Sequence, residues 1–267
     1  MRAVLAGAGA LAALRGGGEG RVVAWFPKAC YVSLPGGLVA LVAQGVAPGP
    51  IHAVLAGAPR RAAHGARARI VEHDLEIGGL SIDLADAARW CGALPPPDEV
   101  RASADRIVAA AAEGAARSSL LVDAFRARGE RARQALITGA VEDAARLLVG
   151  VGPGLTPSGD DALAGALFAL RAAAGTDAEP LTRAAAEAGT TGPISRGFLR
   201  WAARGQALEP AHDLLASAAR ADSDGASRAA RRMAAVGETS GADTLLGLRW
   251  GVEAASQRSA VTGRSRR

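Results

Sequence analysis

The sequence predicts an α+β chain: a β-rich region over residues 1–94, then a larger, mostly helical region over 98–258. Three observations predict it. Short β-prone runs, punctuated by Gly and Pro turns, fill the first 90 residues. Pro95-Pro96-Pro97 then marks a linker. Beyond it the texture changes to Ala, Leu and Arg at helical spacing.

Taken in order, residues 3–14 read as a short helix broken by Gly16 to Gly20. Strands follow at Val22–Phe26, Cys30–Leu34 and Leu38–Ala43, with Pro35-Gly36-Gly37 as the hairpin turn between the last two. Gly45 to Pro50 is a loop; Ile51–Leu55, Arg67–Ile77 and Leu80–Leu84 are further strands, and Gly78-Gly79 is a tight turn. Helices are expected near 98–115, 118–128, 131–148, 160–174, 179–188, 195–204, 210–219, 226–235 and 242–255, and a disordered tail over 259–267.

The helical region carries the unusual stretch VGVGPGLTPSGDDALAGALFAL, Val149 to Leu170. Gly152, Pro153 and Gly154 form a loop. Ser158 then reads as the N-cap of a helix, with Asp161 completing a Ser-x-x-Asp capping pattern. The amides and dipole of such a start favour an anion. The device returns at GETSGADTLLGLRWG, Gly237 to Gly251. Ser158-Gly159-x-Asp161-x-Leu163-x-Gly165 aligns with Ser240-Gly241-x-Asp243-x-Leu245-x-Gly247 at an offset of 240 − 158 = 82. Residues four apart share a helix face, so Asp161, Gly165 and Ala169 line one face and Asp243, Gly247 and Gly251 another. A glycine inside a helix costs about 1 kcal/mol against alanine. Two at equivalent places predict a close helix crossing that brings both serine-headed starts and their carboxylates together. For a single copy, plain capping is the better explanation. Two copies, the Gly-Pro-Gly approach and Asp160, which leans toward the apolar face without serving a cap, favour a site.

A third polar island is AGTTGPISRGFLRWAARG, Ala188 to Gly205. Thr190 and Thr191 enter a turn, and Ser195 is placed to cap a helix beginning at Arg196. A cation in the first turn opposes the dipole. Arg196 therefore asks for an anionic partner, in a ligand or in a local acid such as Asp160; an exposed side chain pointing away is the alternative. Asp160 and Asp161, with Asp243, are candidates for Mg²⁺; no other cofactor is indicated. His52, His64, His73 and His212 show no metal-ligand spacing. Glu72, His73 and Asp74 make a weak cation candidate, since adjacent strand residues face opposite sides. Gly-x-Ser-x-Gly, Walker and dinucleotide motifs are absent from the sequence.

Hydrophobic residues make up 49% of the chain and aromatics only 3%, so the core is built from Ala, Leu and Val. The net charge of +5 is almost wholly arginine, Lys28 being the one lysine. Those arginines are spread along the chain without interleaved aromatics, which argues for a solvated surface and against a nucleic-acid face. Cys30 and Cys91 form neither a disulfide framework nor a thiolate zinc pattern. Met1-Arg2 followed by VLAGAGALAAL resembles a signal-peptide core, but its positive region is minimal and it lacks a clear cleavage site before Arg15. No apolar run reaches membrane-spanning length. A cytoplasmic protein is expected.

At GVGPGLTPSGDDALAG the sequence resembles the AllH/YlbF-like family of oxamate carbamoyltransferase subunits. The resemblance extends through TTGPISRGFLRWAARG, EPAHDLLAS and VGETSGADTLLGL, and to the N-terminal VVAWFPKACYVSLPGGLVALV. One departure is Glu238, where the family pattern leads us to expect histidine. The resemblance implies carbamoyl transfer between carbamoyl phosphate and oxamate in purine (allantoin) breakdown, together with partner subunits. The Ser-Thr-Arg-Thr-Arg phosphate motif of other transcarbamylases is absent. The residues expected to bind the anionic substrate are then Gly152, Gly154, Thr156, Ser158, Gly159, Thr190, Thr191, Ser195, Arg196, Thr239, Ser240 and Gly241, with Asp160, Asp161 and Asp243 as the acids. A non-catalytic scaffold subunit and a metal-dependent hydrolase of a small amide or phosphate are the alternatives.

Overall fold

A computed structural model describes residues 1–72 and 74–264, the side chains of 259–264 excepted. The chain is α+β and divides into two compact units at Gly92–Ala93.

The first unit is one curled sheet with a helix. Its strands are β1 (Ala3–Gly7), β2 (Glu19–Phe26), β3 (Ala29–Leu34), β4 (Gly37–Val42), β5 (His52–Leu55), β6 (Arg67–Val71), β7 (Asp74–Ile77), β8 (Leu80–Asp83) and β9 (Ala88–Trp90). Their order is β8-β7-β6-β2-β3-β4-β5-β1-β9. All neighbours are antiparallel except β4–β5 and β1–β9. The turns expected at Pro35–Gly37 and Gly78–Gly79 join β3 to β4 and β7 to β8. The curl returns β8 to the chain start, where the Asp83 amide donates to the Met1 carbonyl at 2.8 Å.

The helix expected over 3–14 is corrected. Its first half is β1, paired with β5 and β9, and only Ala8–Arg15 is helical (α1). The cause is the Pro50 carbonyl, which accepts the Gly9 and Ala10 amides at 2.7 and 2.9 Å and so fixes where the helix begins. Arg67–Ile77 is likewise two strands, turning at Glu72 with φ of 54°. His73 lies outside the described residues. β9 has no strong sequence signal and was not expected.

His52 on β5 is buried, with Nδ1 3.0 Å from the Ala47 carbonyl oxygen. Burial pushes its pKa down to about 4 from 6.5, against the pull of that carbonyl. Between those values the unfolded chain binds a proton that the folded chain refuses, so stability falls as pH drops from 6.5 towards 4. The loss reaches about 3 kcal/mol. Thermal melts at both ends of that window should show it in the wild type and much less of it in His52→Gln; parallel losses in the two proteins would disprove it.

The second unit holds α2 (Pro97–Ala102), α3 (Ala104–Ala115), a 3-10 turn (Ser119–Leu121), α4 (Asp123–Thr138), α5 (Val141–Leu148), α6 (Ser158–Ala174), a second 3-10 turn (Gly175–Ala178), α7 (Glu179–Glu187), α8 (Pro193–Ala202), α9 (Glu209–Ala219), α10 (Ser223–Ala234) and α11 (Ser240–Arg264). The helix expected over 98–115 breaks at Ser103, whose hydroxyl turns back to the Glu99 carbonyl at 2.8 Å. The break expected near Gly129 falls instead at Gly139, with φ of 86°. Gly129 stays helical because it packs under Trp250, leaving only 3.3 Å for a Cβ. The last helix begins at Ser240 rather than 242 and continues to Arg264; residues 265–267 of the expected tail lie outside the described residues.

α6 is buried along nearly its whole length and packs chiefly on α11. A Cβ on Gly165 would sit 2.0 Å from the Thr244 carbonyl oxygen, and one on Gly247 would sit 1.7 Å from that of Ala162. Residues 162 and 244, and 165 and 247, are 82 apart, so the contact is reciprocal about a pseudo-two-fold axis. The echo extends outward at the same spacing: α5 and α10 begin at Val141 and Ser223, and the left-handed residues before them are Gly139 and Ala221. The internal repeat is therefore α4–α5–α6 and α9–α10–α11.

Candidate functional site: three helix starts around a glycine loop

The two serine-headed starts meet. Thr156 Oγ, in the loop before α6, lies 3.1 Å from Ser240 Oγ at the head of α11. The third polar island joins them. The Thr191 hydroxyl donates to Asp160 Oδ2, and the Gly150 amide donates to Asp160 Oδ1 at 2.8 Å. A Cβ on Gly192, which precedes α8, would lie 3.9 Å from the Leu155 carbonyl. The heads of α6, α8 and α11 thus surround the loop 150–156, with Asp160 tying loop to island. Gly154 within the loop and Thr190 on the island are exposed.

The capping expected of the serines is corrected. The N-cap of α6 is Pro157, and Ser158 is its first helical residue with no side-chain cap bond. The Gly159 amide donates to the Val151 carbonyl at 2.8 Å, and the Gly241 amide to that of Val236 at 3.0 Å. These two amides, expected to face a ligand, are spent on closing the turns. Their glycines are needed for approach: a Cβ would fall 2.0 Å from the Leu148 carbonyl oxygen and 1.8 Å from that of Met233. The amides of Ser158 and Ser240 take no backbone carbonyl among the described residues. Against each lies a glycine with positive φ, Gly152 at 109° and Gly237 at 64°. A Cβ on Gly152 would come 2.9 Å from the Ser158 nitrogen, so only glycine fits against that amide, in a residue that is 4% exposed. Thr239 contributes its carbonyl, which takes the Asp243 amide at 2.8 Å.

Ser195 is not a cap either. α8 starts at Pro193 after Gly192, and the Ser195 hydroxyl is buried without a partner. Arg196 turns away from the loop. Its guanidinium donates to the carbonyls of Ala186, at 2.5 Å, and Gly189 and lies 3.6 Å from Glu187. A cation at the end of α7 satisfies orphan carbonyls there and suits the dipole. Glu238 is exposed in the turn before α11.

The three acids differ. Both oxygens of Asp160 accept protein donors. Asp243 is fully buried, and its Oδ1 accepts the Ser118 hydroxyl at 2.6 Å and the Ser119 amide at 2.9 Å. Sequence reasoning missed those two donors, which lie 125 and 124 residues away with no spacing signal. Asp161 is 9% exposed, and its Oδ2 has no partner. Burial, reinforced by Asp243 and Asp160, pushes its pKa well above the usual carboxylate range, while the Ser240 and Thr156 hydroxyls resist. Among the described residues no three His, Cys, Asp or Glu side chains gather as metal ligands.

Hydroxyls, helix starts and a buried acid with a raised pKa therefore gather around the loop 150–156. Residues 148–252, which hold every residue expected at the site, match the model of the family described as oxamate carbamoyltransferase subunit AllH. The similarity read from the sequence is borne out over that segment; the N-terminal stretch that shared in it lies outside the match. Neither a curated protein nor a solved structure matches the chain. No helix among the described residues is long and apolar enough to cross a membrane.

Proposed function

We propose that this chain is a cytoplasmic subunit of an oxamate carbamoyltransferase. The helix starts around loop 150–156 would hold the anionic end of carbamoyl phosphate or oxamate, and other subunits would complete the enzyme. The observation that carries this reading is the glycine cradle: Gly152 packs against the Ser158 amide, which no backbone carbonyl takes, close to the Thr156–Ser240 hydroxyl pair and inside the segment that matches the family. Carbamoyl transfer needs donors at the leaving phosphate and the developing oxyanion, and a positioned amide nitrogen. The amides of Ser158 and Ser240 and the hydroxyl of Thr156 are of that kind. Nucleic acid has no place in this reading.

Thermal shift tests it. Saturating carbamoyl phosphate or oxamate should raise Tm by several degrees, for the chain alone or assembled with its partners, through about 2.7 kcal/mol of linkage at a hundredfold excess over Kd. Thr156→Val should reduce the shift. If neither compound moves Tm in either preparation, the reading fails.

A second reading has its own support. Asp160, Gly159 and Gly241 all serve internal closure, as in a scaffold subunit whose motifs only order loops. Full carbamoyl transfer by a reconstituted complex carrying Thr156→Val and Asp161→Ala would favour the scaffold.

A further inference from the structure

We propose that Asp161 enters the site as a carboxylic acid and donates the hydrogen on Oδ2 to an oxygen of a bound carboxylate or phosphate. This rests on the carbamoyltransferase-subunit reading for its choice of probe.

The argument begins with a conflict. A site built to hold an anion contains three aspartates and no committed cation, since Arg196 is bound to the end of α7. Two of the three hold two donors each. Asp160 accepts an amide and a hydroxyl, and Asp243 accepts a hydroxyl and an amide. Such donors compensate a charged carboxylate within the protein. Asp161 sits beside the helix heads, nine-tenths buried, with Oδ2 unpartnered; Asp243 Oδ2 is unpartnered too, but its Oδ1 holds two donors, whereas Asp161 has only the Ser240 and Thr156 hydroxyls near it. An ionised Asp161 would add its charge to those of Asp243 and Asp160, the charged groups that act on it, and would repel an incoming oxyanion. A protonated Asp161 removes that repulsion and supplies a short donor. A hydrogen on that buried oxygen calls for an acceptor, and an oxyanion beside the helix heads supplies one. The neighbouring Thr156 and Ser240 hydroxyls place the acid at the junction of two helix starts.

The consequence is chemical selectivity. The site takes oxyanions that accept a hydrogen bond beside the Ser158 and Ser240 amides. It admits an anion without a matching cation because the acid is already neutral.

Infrared difference spectroscopy of the full chain, with its partner subunits if binding needs them, reads the proton directly. Adding oxamate at neutral pH should shift a protonated-carboxyl C=O band in the wild type, with a further shift in D₂O, and that band should be missing from Asp161→Asn. Isothermal titration with oxamate supplies the second readout. Asp161→Asn keeps an N–H donor and should bind within a few fold of wild type. Asp161→Ala should bind about tenfold to a hundredfold more weakly. Oxamate binding with no protonated-carboxyl band in the wild type overturns the proposal and leaves the carbamoyltransferase reading standing. So does a folded Asp161→Asn that binds as poorly as Asp161→Ala. Failure of the wild type, alone and assembled, to bind either oxamate or carbamoyl phosphate overturns both.

Discussion

Gly247→Ala should destabilise the helical unit by about 3 kcal/mol, a fall of roughly 10 °C in Tm. Intrinsic propensity points the other way, since alanine for glycine inside a helix gains about 1 kcal/mol. The sign of the change therefore separates the two effects. Contact wins because the new methyl would sit 1.7 Å from the Ala162 carbonyl oxygen, a backbone atom that cannot rotate aside. α6 and α11 would have to part along a crossing that forms much of the core. Gly165→Ala meets the Thr244 carbonyl at 2.0 Å and should behave alike. The double variant should cost less than the sum, because one separation of the helices relieves both clashes. Gly57→Ala, with open space around its Cβ, is the control and should stay within about 0.5 kcal/mol. A stabilised Gly247→Ala would mean that the helices do not cross there.

The second large effect is opposite in sign. Asp161→Asn should make the empty protein more stable at neutral pH, and less so on acidification. The folded-state pKa of Asp161 is raised. Above the ordinary carboxylate range the unfolded chain has released the proton while the folded chain still holds it, so folding loses ground as pH rises. The slope is about 1.4 kcal/mol per pH unit until the folded-state pKa is passed. Below the unfolded value both states are protonated and the penalty vanishes. Asparagine has no such penalty, so melts at pH 4 and pH 7.5 should show the variant's advantage growing with pH. An equal offset at both would remove titration from the account and leave only packing.

Much of this was legible in the sequence because its punctuation is chemical. Pro35-Gly36-Gly37 and Gly78-Gly79 can only turn, and Pro95 to Pro97 cannot continue either strand or helix. The paired glycines at 165 and 247 pointed to a crossing because glycine inside a helix needs a reason. Elsewhere the letters permitted two answers. Ser158 fits a cap by pattern, yet carbonyls of Val151 and Pro157 meet the amides of Gly159, Asp160 and Asp161, a backbone event that no side chain announces. Arg196 reads as misplaced against its own helix and is well placed against α7, which only tertiary packing reveals. Ala3–Gly7 carries alanines suited to a helix, but pairing with two strands overrides that preference.

The reciprocal contact at residues 162, 165, 244 and 247 ties the fates of two stretches of chain. Each glycine protects a carbonyl belonging to the other half, so neither copy can drift alone. A bulkier residue accepted on one side must be met by retreat on the other. The two repeats, free to diverge along their outer faces, remain mutually bound where they touch, and that bond holds the serine heads in company.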